Sequence, residues 1–426
     1  MDVRATVRRV FGEAVGRPPA WTWFVPGRVE VFGRHTDYAG GRSLVAAVSR
    51  GFGLTAAPRS DRWVRAIDAV TASSVDIDPT DAATVFRGWR NYVAVVARRL
   101  AMNFPGAAFG ADVVFASNLP RAAGVSSSSA LVVGLATALV RAGRLTERPE
   151  WTTSIETELD LAGYLGAVES GLTFRGLAGT SGVGIHGGSE DHTAILTSRA
   201  DHVSAFAYVP VRPLGSARLP DDWCFVIMSS GVHAAKAGSV RDRYNRASDA
   251  SRALATLGAV GAEPQPATLA ELLGASPDAD ARLRDRLATD VADPIARAAL
   301  LRRLDHFVRE DARVVPALEA VAAADRETLG QLSRDSQEDA DLLLGNQVDE
   351  TRQLAMLARA EGAFAASSFG AGFGGSVWAL VETAEAGELL ERWGRAYRSV
   401  FPLRIEAEGF VTRPADGLLE SGDAND

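Results

Sequence analysis

The chain has 426 residues, 45 Lys+Arg against 53 Asp+Glu, a net charge of −8 and one cysteine. At roughly 100–200 residues per domain this is two domains or one large α/β unit, long enough to need no disulfide or metal staple. Cys224 alone excludes a disulfide framework and any CxxC zinc site, and a net acidic chain without Lys/Arg runs argues against nucleic-acid binding.

Lys236 is the only lysine, so nearly every positive charge is a guanidinium, which with abundant alanine reads as a GC-rich coding bias. The opening MDVRATVRRVFGEAVGRPPA predicts a helix stopped by Pro18-Pro19. It contains Glu13 and lacks the apolar stretch of a secretory signal. From Trp21 to Val70, β-branched runs alternate with turns (TWFV, RVEVFG, RSLVAAV, GFGLTA, WVRAI) and predict strands of a sheet. Trp89–Met102 has helical apolar spacing, 111–117 (ADVVFAS) predicts a strand, and 126–143 a helix opened by serines and closed by Gly143. Thr153–Ser170 predicts another helix. The longest apolar stretch, Ala130–Val140, is too short to span a bilayer, so the expectation is a cytoplasmic protein without membrane partners.

Residues 171–191 are rich in Gly, Ser and Thr; a low-complexity linker is one reading, but a functional loop is favoured because the polar end, GGSEDH, runs directly into an apolar strand, TAIL. Its glycines allow many backbone states, which fits a loop that orders on ligand binding. Two more strands are expected over 203–230, and 239–362 reads as almost wholly helical, with Arg-rich amphipathic segments. A turn (GAGFGG), a strand (SVWALV), a helix (385–399) and a last strand (FPLRIEAEGF) follow, with a frayed acidic tail from Ala415. The pattern is α+β in two halves, 1–205 and 206–426, without an internal repeat.

Three Gly/Ser-rich segments carry chemistry. In Pro120–Ala130 (PRAAGVSSSSA), glycine lets backbone approach a ligand, and the following helix start offers unpaired N–H groups and a positive dipole end. Its four hydroxyls add donors and hard oxygens suited to Mg²⁺. That is a phosphate cradle without the lysine of a GxxxxGK[ST] loop; a serine-rich N-cap is the plainer alternative. In Ser367–Ser376 (SSFGAGFGGS) the glycines predict a backbone nest or a close approach of another element. Pro26–Gly41 (PGRVEVFGRHTDYAGG) packs Arg28, Arg34, His35 and Asp37 onto a strand and its exit loop, where such charges need partners or a ligand. His186, His192 and His233 have no HxH or HExxH spacing to support a zinc site.

These residues carry a resemblance. PGRVEVFGRHTDYAGG resembles the galactokinase signature, PRAAGVSSSSA the phosphate motif of the GHMP kinases, and SSFGAGFGGSVWAL that superfamily's third motif. GWRNYVAVV (88–96) resembles a galactokinase helix and SEDHTAIL (189–196) the segment holding the family's catalytic aspartate. All five stand in the family's order. The resemblance implies a two-domain GHMP-kinase fold, with an N-terminal domain like ribosomal protein S5 domain 2, an α/β C-terminal domain, and the active site between them. It implies ATP, Mg²⁺ and a sugar, phosphorylated at the anomeric C1 hydroxyl, by a monomer or homodimer. Asp191 would take the proton of the attacking hydroxyl, with Arg28 beside it keeping it ionised. Gly124, Val125, Ser126, Ser127, Ser128 and Ser129 would wrap the phosphates, with Gly370 and Gly372 of the third motif. Ser127, or Ser128, and Glu169 would hold Mg²⁺. His35, Asp37 and Gly188 would meet the sugar.

The chain also departs from the family. The signature's Gly-Glu-His-Thr-Asp-Tyr has Arg34 in place of its glutamate, and an ungapped match puts Arg241 where a sugar-contacting tyrosine is usual; a small gap restores Tyr244. Two readings of Arg34 stay open. It pairs internally with Glu30 and the substrate is a neutral hexose, or it forks onto a substrate carboxylate and the enzyme is a uronic-acid (galacturonate) kinase. A cyclitol or non-sugar acid acceptor, and a non-catalytic protein that senses sugar and ATP, are the remaining alternatives.

Overall fold

The computed structural model describes residues 1–107, 109–120, 123–232, 238–261 and 264–420, apart from the side chains of 238 and 239. Arg121 and Ala122 of the serine motif, His233 and Lys236 lie outside the described residues.

The chain opens with α1 (Val3–Val15), started by the Asp2 carboxylate, which accepts from the N–H groups of Arg4 and Ala5. Its buried stripe of Val3, Val7 and Phe11 closes against Ala57, Ile67, Val114 and Ala116. β1 (Trp21–Phe32) and β2 (Arg42–Pro58) are antiparallel partners. The runs TWFV and RVEVFG fuse in β1, because irregularities at Pro26/Arg28 and Glu30/Phe32 bend the strand without ending its pairing. β3 (Val64–Asp68), β4 (Ser73–Ile77), α2 (Trp89–Asn103), β5 (Ala111–Ser117) and α3 (Ser127–Ala142) follow. Next come α4 (Pro149–Ser154), α5 (Glu158–Ser170), α6 (Glu190–Thr197), β6 (His202–Ala207) and β7 (Arg212–Arg218).

The second half runs β8 (Trp223–Ser229), α7 (Gly238–Gly258), α8 (Leu269–Gly274), α9 (Ala279–Asp290), α10 (Pro294–Ala322), α11 (Arg326–Asp339) and α12 (Asp349–Ala360). It ends with β9 (Ala365–Ser368), β10 (Ser376–Glu382), α13 (Ala386–Val400), β11 (Gly409–Thr412) and β12 (Leu419–Glu420). One sheet has the order β12-β1-β2-β5-β3-β4, with β6 on β2 and β7 on β6; the other is β11-β8-β10-β9. This is the α+β architecture expected from the sequence.

Six local expectations need correction. The span 203–230 holds three strands, β6, β7 and β8, rather than two, and the helix expected over Thr153–Ser170 starts only at Glu158, where the Thr157 side chain accepts from the Asp160 N–H. TAIL lies in helix α6, whose Glu190 and Asp191 favour an N-terminus; an apolar run of four cannot tell strand from helix. Residue 205 lies inside β6, which stays in the first sheet. FPLRIEAEGF turns on itself (Ala407 N–H donates to Arg404 O) and pairs as strand only from Gly409. Residues 415–420 of the tail are tied to the first half, Ala415 N–H to Ala47 O and β12 to β1, and residues 421–426 lie outside the described residues.

The helix α3 is buried along most of its length and packs on β1 and β2. It shares one core with Val314, Ala317 and Val321 of α10 and with Trp223 and Trp378 of the second sheet. At about 1.5–3 kcal/mol per large apolar side chain, that shared core holds the halves in a fixed relation. The loop 171–189 is tied as well. Asn103 of α2 donates to Ala178 O at 3.1 Å, and Asn245 of α7 donates to Gly184 O at 3.1 Å while accepting from His186 N–H at 2.9 Å.

Candidate active site

β1 delivers Arg28 and Glu30, and the first turn of α6 delivers Glu190 and Asp191. Arg28 Nη2 lies 2.7 Å from Asp191 Oδ1, its Nε 3.5 Å from Glu190 Oε1, and its Nη1 donates to Gly124 O at 2.7 Å. Burial opposes the charge of Arg28, yet Asp191, then Glu190 and Glu30, outweigh it and hold the guanidinium protonated. The Ser129 hydroxyl lies 2.9 Å from Glu169 Oε2 and 3.2 Å from Asp191 Oδ2. His192, which carried no signal in the sequence, puts Nε2 3.1 Å from the same Glu169 oxygen. So the expected Arg28, Asp191 and Glu169 do come together.

Two cavities meet at this ion pair, for Arg28, Asp191 and Ala371 line both. The larger, about 760 Å³, is lined by Gly124, Ser126, Ser127 and Ser128 at the start of α3, and by the aromatic rings of Trp89, Tyr92 and Phe115. Ser126 is left-handed (φ 62°), and its Oγ is buried without a hydrogen-bond partner, as suits a group waiting on a ligand oxygen. Tyr92 hydrogen-bonds Ser128. Val125 is core, and its carbonyl accepts from Arg28 N–H at 3.3 Å. Gly370 packs against Gly124 and lines the smaller cavity, whereas Gly372 sits on Asn346 and lines neither.

The smaller, polar cavity is lined by His35, Asp37, Gly188 and Tyr244, all expected there, and by Glu30 and Glu190, which were not. Gly188 is required by contact, since a Cβ on it would fall 2.4 Å from Asp37 Oδ2. The ring of Tyr244 lies 4.8 Å from that of His35. Arg241, one turn earlier on α7, lines neither cavity; its half-exposed guanidinium lies 3.4 Å from Asp242. Tyr244, not Arg241, therefore faces the cavity.

Arg34 does not face it either. Gly33 (φ 98°) and His35 (φ 59°) break the alternation of the extended chain, so His35 and Asp37 turn inward and Arg34 turns away. Its buried guanidinium lies 3.5 Å from Glu30 and donates to Ser367 Oγ at 3.0 Å and to Ser368 O, bracing β1 against β9. Beneath it, Glu310 of α10 accepts from the N–H groups of Gly33 and Arg34 at 3.0 and 3.3 Å. Arg303 of α10 donates to His35 O, and to Ala247 O at 3.2 Å, tying the loop that carries His35 to the helix that carries Tyr244.

Glu30 and Glu190 hydrogen-bond one another. Burial, against the opposing effect of Arg34 and Arg28, pushes the Glu30 carboxyl up to about 7, and burial followed by Glu30 raises Glu190 well above the carboxylate range. Both folded values exceed the unfolded one. Stability from the pair is therefore present below about pH 4.5 and is lost as pH rises through about 7. Thermal melts between about pH 5 and 8 should show Tm falling, with a shallower fall in Glu190→Gln. Identical slopes in the two proteins would contradict this account.

The chain matches the galactokinase galactose-binding signature over residues 9–58, the GHMP kinases N-terminal domain over 91–169 and the GHMP kinases C-terminal domain over 317–399. It is 30% identical over 396 residues to a galactokinase of Chloroflexus aggregans, covering 91% of this chain and 90% of that one. It is 29% identical to a galactokinase of Lacticaseibacillus paracasei, covering 97% and 98%. Among solved structures, Lactococcus lactis galactokinase complexed with galactose superimposes with a TM-score of 0.78 at 22% identity, over 97% of this chain and 99% of that one.

Proposed function

The chain belongs to the galactokinases among the GHMP kinases, and from that premise we propose a role for each cavity and each residue where they meet. It is a phosphotransferase with a hydroxyl acceptor, and the reaction is ATP-dependent phosphorylation of a monosaccharide at its anomeric C1 hydroxyl. ATP occupies the larger cavity, its phosphates on the Gly124–Ser128 loop and the α3 N-terminus, its base among the aromatic rings. The sugar occupies the smaller one, against His35, Asp37 and Tyr244. Asp191 accepts the proton of the C1 hydroxyl as its oxygen attacks the γ-phosphorus, and the bond to the leaving ADP oxygen breaks. Arg28 orients Asp191 and stabilises charge on the transferring group.

Ser127 and Ser128 on the larger cavity and Glu169 on the smaller, either side of the Arg28–Asp191 pair, offer only hard oxygen, the donor chemistry that suits Mg²⁺. These three would hold the ion, which would supply charge neutralisation for the bound phosphates.

The observation that carries the reading is that both cavities open on the Arg28–Asp191 pair, at 2.7 Å. A donor on one side and an acceptor on the other then share one base. Coupled ADP release over a panel of sugars tests it: sugar-dependent turnover is expected, whereas tight binding of sugar and ATP without ADP release would make the protein a sensor. Arg303 supplies a second check, since it touches only elements of the sugar side. Arg303→Met should raise the sugar KM about tenfold and leave the KM for ATP within about twofold, for a lost charged hydrogen bond of roughly 1.5–3 kcal/mol. Equal rises in both constants would contradict that placement.

A further inference from the structure

The sequence groups Ser129 with the phosphate loop, but the structure turns it away from its neighbours. Ser126, Ser127 and Ser128 line the larger cavity, whereas Ser129, about 100° further round the first turn of α3, lines the smaller one. It is 1% exposed. Its Oγ lies 2.9 Å from Glu169 Oε2 and 3.2 Å from Asp191 Oδ2, so one hydroxyl stands between two carboxylates, from α5 and α6.

A hydroxyl has one hydrogen and two lone pairs, and an ionised carboxylate only accepts. Ser129 therefore donates to one of the two at a time. The shorter contact gives the hydrogen to Glu169, which turns an Oγ lone pair toward Asp191. Oδ1 of Asp191 is held by the Arg28 guanidinium at 2.7 Å, which lowers the basicity of that oxygen and makes Oδ2 the destination of a proton. Once Oδ2 carries the proton it becomes a donor, and Ser129 Oγ is an acceptor already beside it.

Building on the sugar-kinase reading above, we propose that Ser129 is a positioning residue for the transfer step. With its own hydrogen on Glu169, it accepts the hydrogen bond of the Asp191 carboxyl as that group takes the sugar proton. The sugar O–H bond breaks and the Oδ2–H bond forms. The pair left on the sugar oxygen bonds the γ-phosphorus, and the P–O bond to ADP breaks with its pair leaving on ADP. Ser129 exchanges no proton. It favours the state in which Asp191 is neutral, so its contribution falls on kcat and not on ground-state binding of sugar or ATP.

The test is steady-state kinetics of the full chain with ATP, Mg²⁺ and galactose, or the panel sugar it uses faster. Ser129→Ala should lower kcat about five- to tenfold, the scale of one hydrogen bond, and leave both KM values within about twofold. Ser129→Cys fills the same space with a weak acceptor; its kcat should fall likewise, and it serves alone if Ser129→Ala does not fold. In the Asp191→Asn background, where Oδ2 takes no proton, adding Ser129→Ala should cost less than about twofold. Wild-type kcat in the folded variants, a loss carried by KM, or the full loss repeated in Asp191→Asn overturns the proposal. So does a kcat restored by raising Mg²⁺ tenfold, which would assign Ser129 to Glu169 and the ion. A wild type that releases ADP with none of the sugars is a different result: the kinase reading itself fails, and this inference with it.

Discussion

Asp191→Asn should bind ATP as wild type does and lose about 10²–10⁴-fold in kcat. The amide has nearly the shape of the carboxylate, so Ser129, 3.2 Å from the native oxygen, keeps a neighbour. It cannot accept the sugar proton, and it exchanges the 2.7 Å ion pair with Arg28 for a neutral contact. Arg28 retains Glu190 at 3.5 Å and Gly124 O at 2.7 Å, so the fold loses one of several ties and melting should shift by a few degrees at most. The measurement is single-turnover phosphoryl transfer beside ATP titration. Wild-type kcat would remove Asp191 from the proton transfer, whereas weaker ATP binding with unchanged chemistry would move it to the nucleotide side.

What could be read from the sequence, and what could not, divides along chain distance. The helix from 126 and the strand 111–117 follow from local periodicity, and both are present as α3 and β5. Arg28, His35, Asp37 and the serine loop sit in contiguous motifs whose spacing is itself the signal. Glu30 lies two residues from Arg28 and could be read as a partner for Arg34, four residues on, but not as a cavity residue, because nothing local says that this face of β1 borders a cavity. Glu190 and His192 flank Asp191, and their roles depend on Glu30 and Glu169, which come from other elements. Arg303 and Glu310 are harder still. Their periodicity gives a helix, but the contacts to His35 and Gly33 span 268 and 277 residues. Arg34 shows the limit from the other direction: its position in the motif is plain, but its direction is set by backbone angles at Gly33 and His35.

Arg28 separates catalysis from stability in a way no other residue here does. Arg28→Ala should cost kcat as much as Asp191→Asn, about 10²–10⁴-fold, because positive charge at the transferring phosphoryl group is needed in the transition state. It should also destabilise the fold, since Asp191 and Glu190 then lose their cation while Glu30 keeps only Arg34 at 3.5 Å; breaking such a buried pair costs about 3–5 kcal/mol. Arg28→Lys keeps the charge but cannot reach Asp191, Glu190 and Gly124 O together, because an ammonium is a point and the guanidinium a fork. Its turnover should fall between wild type and Arg28→Ala, and combined with Asp191→Asn it should lose less than the product of the single effects, since both residues serve one step. The decisive protein is Arg28→Ala with Glu190→Gln. Removing one of the stranded carboxylates should recover a large part of the lost Tm while kcat stays at the Arg28→Ala level. Recovery of both together would mean that Arg28 acts only by holding the carboxylates in place, and that the transferring phosphoryl group is stabilised by other residues.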